Sequence, residues 1–133
     1  MIDKTVNQNF GVGLGSFLVP GILRRVSPKN SIVPIVVDSP HSGTQYPEDF
    51  EFLVPKIMLQ RAEDSYVGEL FSDAPHNGAT FIEALFPRSY IDPNRSINDL
   101  DPELLETDWS GSIKMGEKSR LGHGLIWRLC PPD

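Results

Sequence analysis

The stretch SIVPIVVDSPHSG, from Ser31 to Gly43, decides the fold of this chain. From Ile32 to Val37 its side chains form a nearly continuous apolar run, mostly β-branched, which stops at Asp38. A run of this kind is typical of a strand that is covered on both faces. Pro34 cannot donate a hydrogen bond to a neighbouring strand, so we expect the first half of the run to lie at an edge or entry position.

A helix is predicted after this strand. From Pro55 to about Ser72, apolar side chains recur at the spacing of one helix face, and proline suits a first helical turn. The stripe consists of Met58, Ala62, Tyr66 and Leu70, and it is widened by Ile57, Val67 and Phe71.

The remaining elements place the chain in the α/β class. Strands are predicted at Ala79–Leu85 and Gly124–Leu129, with a short extended piece at Ser89–Ile91. Residues 96–116, rich in turn-forming side chains, are predicted to be a loop, and residues 1–30 an irregular N-terminal segment. Alternating strands and helices predict a mixed, mostly parallel sheet flanked by helices.

Composition limits the kinds of binding partner and the cellular compartment that we expect for this chain. The chain has 12 basic and 18 acidic residues, a net charge of −6, which argues against nucleic acid or an anionic membrane surface as the main partner. The chain contains a single cysteine, Cys130, which excludes an internal disulfide framework and fits a reducing compartment. No apolar run approaches the roughly 20 residues that a membrane span needs. Since no signal peptide is apparent either, we expect a cytoplasmic protein.

His41 follows the first strand within a group of small, turn-forming residues. In open α/β sheets, binding sites collect just beyond the carboxyl ends of the strands, where the loops converge. Ser39, Ser42 and Gly43 permit a tight turn that presents the imidazole outward. On spacing alone, a histidine that only closes the turn is an equally good interpretation.

Two further groups of residues carry possible chemistry. Glu63 and Asp64 have partly apolar neighbours at helical spacing, so one carboxylate is expected to point inward, although periodicity does not tell which one. The segment FPRSYIDPNR, residues 86–95, crowds two arginines around an aspartate and an asparagine. Arginine binds carboxylates through a rigid fork, but Asp92 paired structurally with one arginine is the alternative. A histidine, a carboxylate and an Asn–Arg pair are the inventory of a metal-assisted hydrolase with a carboxylate-bearing substrate.

Four segments, in the same order, resemble the N-formylglutamate amidohydrolase family. They are DSPHSG (38–43) followed by Tyr46 and Pro47, EDSYVGEL (63–70), PRSYIDPNR (87–95) and GHGLIWR (122–128). The resemblance spans about residues 33 to 129. It implies hydrolysis of N-formyl-L-glutamate to formate and glutamate in histidine degradation. It also implies a zinc carboxypeptidase-like fold of the phosphorylase/hydrolase type.

The resemblance implies a role for particular residues. His41 matches the first zinc-binding histidine and Asp64 the metal-binding acid, with Glu63 as the second choice for the acid. The predicted cofactor is Zn²⁺, which activates a water molecule and polarises the scissile carbonyl. Contacts to the carboxylate of an acidic small-molecule substrate are expected from Arg88, Asn94 and Arg95. Apart from the resemblance, Asp38 is close to His41 in sequence and could orient the imidazole, although an aspartate that only closes the strand is equally common.

Family members are about twice as long as this chain, and their second half supplies another zinc-binding histidine and a glutamate suited to general-base work. We therefore interpret residues 31–133 as the N-terminal part of a single α/β hydrolase-type domain, with the general base beyond the chain end. Neither His76 nor His123 is assigned as a third ligand. An incomplete core predicts exposed apolar surface and self-association. Two alternatives are a zinc carboxypeptidase-like peptidase and a truncated, non-catalytic relative that binds an acidic small molecule.

Overall fold

A four-stranded sheet forms the centre of the molecule, which is a computed structural model that describes residues 15–130. The strands are β1 (Phe17–Val19), β2 (Leu23–Val26), β3 (Val36–Ser39) and β4 (Thr80–Ala84), in the order β1-β2-β4-β3. Strand β2 pairs antiparallel with β1 and with β4, and only β3 and β4 run parallel. The sheet is mixed, as predicted, but the prediction of mostly parallel strands is wrong.

The antiparallel part of the sheet includes a hairpin of β1 and β2, which was not predicted from the sequence. Strands β1 and β2 lie within the segment predicted to be irregular, of which residues 1–14 lie outside the described range. Gly21 has a φ of 73°, and the N–H of Ile22 donates to the carbonyl of Val19 at 3.0 Å. Glycine reaches that left-handed conformation at little cost, so Pro20 and Gly21 form a tight turn.

Strands β3 and β4 confirm two predictions and correct a third. Strand β4 lies inside the predicted range 79–85, and its Phe81 is the most buried large apolar side chain, at 1% exposure. Strand β3 begins after Pro34, as expected. However, β3 is an edge strand and Val36 is 63% exposed, so within the described residues the strand is not covered on both faces.

The helix predicted from Pro55 to Ser72 is broken into two short helices, α1 (Lys56–Gln60) and α2 (Val67–Leu70). Between them the backbone N–H of Asp64 donates to the carbonyl of His41 at 3.0 Å, outside any helical ladder. Tyr66 then adopts the left-handed conformation, with φ 67° and ψ −2°, and α2 begins. A tertiary hydrogen bond has replaced the helical one, which periodicity could not predict.

The last third of the chain is mostly irregular. Residues 96–116 form a loop, as predicted, interrupted by a 3₁₀ turn at Pro102–Leu104, and α3 (Glu117–Arg120) follows. The predicted strand at 124–129 is wrong, because the segment forms only a bridge between His123 and Trp127. The extended piece predicted at 89–91 is also wrong, since residues 88–90 form a turn.

The buried apolar core is small, and much apolar surface is exposed. Among the described residues, the core consists of Leu59, Ala62, Ala79, Phe81 and Leu100. In contrast, Ile32, Leu53, Leu70 and Ile97 are each more than 70% exposed. An apolar groove of about 300 Å³ crosses the sheet between Leu23, Ile82, Phe86 and Pro93. No helix in the described part of the chain has the length and apolar character needed to cross a membrane.

Candidate functional site

The loop that carries His41 is clamped against the exit of strand β4. A Cβ atom on Gly43 would lie 2.2 Å from the carbonyl oxygen of Phe86, so only glycine permits this approach of the two backbones. The N–H of Gln45 also donates to the carbonyl of Leu85 at 2.8 Å. The clamp brings His41, at the carboxyl end of β3, to the segment that follows β4.

Asp92, in that following segment, is the central residue of the site. Its side chain has no solvent exposure, and its Oδ1 lies 2.9 Å from Nε2 of His41. The backbone N–H of Asn94 donates to Oδ1 at 2.9 Å, while Nη2 and Nε of Arg88 donate to Oδ2 at 2.9 and 3.3 Å. These donors meet the hydrogen-bonding needs of a buried carboxylate.

The pKa of Asp92 follows from this arrangement. Burial opposes the charge of the carboxylate, but hydrogen bonds from His41, Arg88 and the Asn94 backbone, with the charge of Arg88, outweigh it and hold the pKa of Asp92 well below its usual range. An ionised carboxylate can only accept hydrogen bonds, so Nε2 of His41 carries the proton that it donates to Asp92. In the neutral imidazole, Nδ1 then has a free lone pair.

Asp64 lies on the opposite side of the imidazole. Its Oδ2 is 3.3 Å from Nδ1 of His41, and its side chain is 51% exposed. Glu63 turns away, because its Oε1 accepts a 2.6 Å hydrogen bond from the hydroxyl of Tyr46. Burial and this bond to Glu63 raise the pKa of Tyr46 above its usual range. The structure thus brings Asp64, and not Glu63, to His41.

His41 and Asp64 are chemically suited to share a metal ion. Zinc binds imidazole nitrogen and carboxylate oxygen at about 2.0–2.2 Å, so two ligands of a tetrahedral ion lie roughly 3.4 Å apart. The observed separation of Nδ1 and Oδ2, 3.3 Å, fits that spacing. The hydrogen bond from Nε2 to Asp92 is the support that metal-binding histidines usually receive. Within residues 15–130 no group of three potential ligands comes together, so these residues fit two positions of a metal site.

Both arginines predicted to contact substrate lie at Asp92. Arg88 pairs with it directly, and its Nη1 lies 3.8 Å from Oδ1 of Asp64. Arg95 has its Nη2 3.8 Å from Asp92 and donates from Nε to the carbonyl of His123 at 3.2 Å. The structural pairing left open by the sequence is therefore present. The side chain of Asn94 is exposed beside the arginines, and binding of substrate by these three residues stays a prediction.

The orienting role expected of Asp38 is wrong. Asp38 is exposed on β3, whereas its neighbour Ser39 is buried, because successive side chains of a strand point to opposite faces. Both ring nitrogens of His41 face other carboxylates, Asp64 and Asp92. Asp92 takes the orienting position. The signal in the sequence is the cluster of charged residues around Asp92, which predicts contacts of the arginines with a substrate or with Asp92 but no contact of Asp92 with His41.

The other two histidines lie in different surroundings. His76 is on the surface, where its ring contacts Asp73 at 2.8 Å and Lys29 at 3.2 Å. The ring of His123 packs against that of Trp127 at an angle of 59° between the ring planes, with centroids 4.8 Å apart. Neither forms a ligand cluster with His41 and Asp64 in the described part of the chain.

Comparison with known proteins supports this fold. A crystal structure of N-formylglutamate amidohydrolase from Ralstonia eutropha JMP134 matches with 46% sequence identity and a TM-score of 0.77, covering 80% of this chain and 38% of that one. No curated protein sequence matches. The fold thus places the chain in the structural class of an amidohydrolase.

The family profile of N-formylglutamate amidohydrolase matches residues 33–130. The chain belongs to the N-formylglutamate amidohydrolase family, and the resemblance found in its four segments is confirmed. It spans 38% of the length of the Ralstonia protein.

Proposed function

We propose that the chain takes part in the metal-dependent hydrolysis of an N-formyl or N-acyl acidic amino acid, giving the free amino acid and formate or another acid. The observation that carries the proposal is the position of His41, held by Asp92 through one ring nitrogen and facing Asp64 with the other. Membership in the family supports the reaction class. The zinc carboxypeptidase-like relation of the fold and a cytoplasmic location belong to the same proposal.

His41 and Asp64 would hold a Zn²⁺ ion through Nδ1 and a carboxylate oxygen. When bound, the ion lowers the pKa of a coordinated water towards about 7 and polarises the scissile carbonyl. Asp92 keeps the proton on Nε2 of His41 and so keeps Nδ1 available as a ligand. The described residues supply two of the ligands that such an ion needs and bring no third potential ligand to them.

An acidic substrate would bind at the positive side of this site. Two nitrogens of Arg88 are used by Asp92, which leaves Nη1 on the side of Asp64. Arg95 and the exposed amide of Asn94 add donors beside it. A carboxylate held by such donors would fix the amide bond of the substrate in one position relative to His41.

A non-catalytic role is the second candidate. It is favoured by one observation, that the described residues bring together two potential metal ligands and no third. In that case Arg88, Asn94 and Arg95 would still bind an acidic small molecule, without turnover.

Metal analysis and an activity assay separate the two candidates. Zinc content after supplementation is measured for the wild type and for His41→Ala, with His76→Ala as a control on the surface. The proposed enzyme binds zinc through His41 and releases formate from N-formylglutamate. Zinc binding without formate release favours a non-catalytic relative, and zinc binding that does not depend on His41 contradicts the assigned metal site.

A further inference from the structure

The face of the Trp127 ring lies under the guanidinium of Arg88. The Cζ atom of Arg88 is 5.1 Å from the ring centroid, and the arginine side chain is only 16% exposed. A cation over an indole face is attracted by the ring quadrupole, and the attraction grows when water is excluded. Neither the pairing with Asp92 nor the proposed function has a role for this ring.

Trp127 belongs to a segment that is fixed at several points. The N–H of Asp92 donates to the carbonyl of Leu125 at 2.8 Å, and the N–H of Leu125 donates to the carbonyl of Asp99 at 2.9 Å. The ring of His123 packs against that of Trp127, and the two residues form a backbone bridge. The segment that carries the indole is therefore held by backbone hydrogen bonds, and the ring itself contacts both His123 and Arg88.

The two contacts of Arg88 restrict different motions. Asp92 binds one edge of the guanidinium through Nε and Nη2, which fixes that edge but leaves rotation about it open. The indole, with Cζ of Arg88 over its face, blocks rotation towards that side. Together they fix the direction of Nη1, which lies towards Asp64.

We propose that Trp127 is a positioning residue, which holds the plane of Arg88 so that Nη1 is presented to a substrate carboxylate. The inference rests on the proposed function only in that Arg88 is taken as a carboxylate-binding group. In this proposal the GHGLIWR segment supplies the aromatic face that holds the substrate-binding arginine in position.

The contact itself can be tested by fluorescence without any ligand. The chain has two tryptophans, so a Trp109→Phe background makes Trp127 the only source of indole emission. In that background, Arg88→Met removes the cation from the ring, and we expect a shift in the emission maximum or intensity. Arg61→Met, an exposed arginine, is the control and leaves the emission unchanged. Unchanged emission in Arg88→Met would overturn the contact.

The positioning role is tested by binding of glutarate, a dicarboxylate that cannot be hydrolysed, using calorimetry. Trp127→Phe keeps an aromatic face, whereas Trp127→Leu keeps apolar bulk without one. We expect the phenylalanine variant to bind within about threefold of the wild type and the leucine variant about threefold to tenfold more weakly. If Trp127→Phe and Trp127→Leu unfold at the same temperature and bind glutarate with equal affinity, the positioning role of Trp127 is wrong.

The outcomes also separate this proposal from the proposed function. If the wild type does not bind glutarate, the assignment of Arg88 as a carboxylate-binding group is wrong, and the positioning role is wrong with it. The emission test still decides whether the ring holds the guanidinium. Because that test leaves Trp127 unchanged, it also decides the contact if the leucine variant does not fold.

Discussion

Nε2 of His41 lies 2.9 Å from Oδ1 of Asp92, and the aspartate is fully buried. This contact joins the turn after β3 to the turn after β4, two segments that are far apart in sequence. It fixes the rotation of the imidazole and leaves the second ring nitrogen towards Asp64. The geometry of the whole site therefore depends on one buried carboxylate.

Replacement of Asp92 is expected to destabilise the fold strongly. Asp92→Ala leaves Arg88 beside an empty buried position and removes the acceptor of four hydrogen bonds. Breaking a buried ion pair in this way costs about 3–5 kcal/mol of the free energy of unfolding. Urea denaturation measures it, with Asp73→Ala, whose side chain is 75% exposed, as the control. Similar free energies for the two variants would show that Asp92 does not anchor the site.

Acid is expected to weaken the folded state through the same residue. The pKa of Asp92 is depressed in the folded protein, so its contribution to stability is full above the usual aspartate pKa of 3.8 and is lost as the pH falls below that value. The free energy of unfolding, measured between about pH 2 and pH 6, should decrease towards acid in the wild type. Asp92→Asn should show a shallower decrease, and equal slopes would contradict this assignment.

Zinc affinity is expected to distinguish two adjacent carboxylates. Asp64→Asn removes the negative charge of the carboxylate beside Nδ1 of His41, and we expect zinc affinity to fall by about tenfold or more. Glu63→Gln is the matched control, since Glu63 is hydrogen-bonded to Tyr46 instead. Titration against a competing chelator measures both variants. A larger loss for Glu63→Gln would reverse the assignment of the metal-binding acid.

Relief of backbone strain at Tyr66 is expected to stabilise the chain. Its φ of 67° is unfavourable for a residue with a side chain, and that side chain is 71% exposed, so few contacts are lost on truncation. Tyr66→Gly should raise the free energy of unfolding by about 1 kcal/mol. Ser65→Gly, at an exposed neighbour without a positive φ, should give no gain. Thermal unfolding compares the two variants, and a gain at Ser65 alone would rule out the strain.

Self-association is expected through the uncovered edge of the sheet. Among the described residues, strand β3 has no neighbour on its outer side, and its Val36 is 63% exposed. Edges of this kind pair with other chains unless a charge prevents it. Val36→Lys should shift the elution volume in gel filtration towards the monomer, whereas Ile97→Lys, at an exposed loop residue, should not. A wild type that is monomeric at all concentrations contradicts this expectation.

The family resemblance assigned His41 and Asp64 to one metal ion, and their side chains do lie 3.3 Å apart, while metal binding stays a prediction. A resemblance carries long-range relations of this kind, which local sequence patterns lack. The hairpin of β1 and β2 was missed because its strands are short, although Pro20 and Gly21 signal its turn.

Other differences have tertiary causes. The spacing of apolar residues through Tyr66 is typical of one continuous helix. In the structure, the hydrogen bond from the N–H of Asp64 to the carbonyl of His41 interrupts that helix. Asp38 was expected to orient His41 because it is near in sequence, and Asp92 was considered only as a partner of the arginines. A strand sends neighbouring side chains to opposite faces, so nearness along the chain was misleading.

Asp92 accepts hydrogen bonds from His41, Arg88 and the backbone of Asn94 at the same time. The effects of mutations at these residues on stability are therefore coupled. A substitution at one partner changes the effect of a substitution at another, so their effects on stability will not add. Natural variation in this family should therefore change these positions together or not at all. Attempts to redirect the specificity of the site should likewise begin at the exposed amide of Asn94 and leave the residues bound to Asp92 intact.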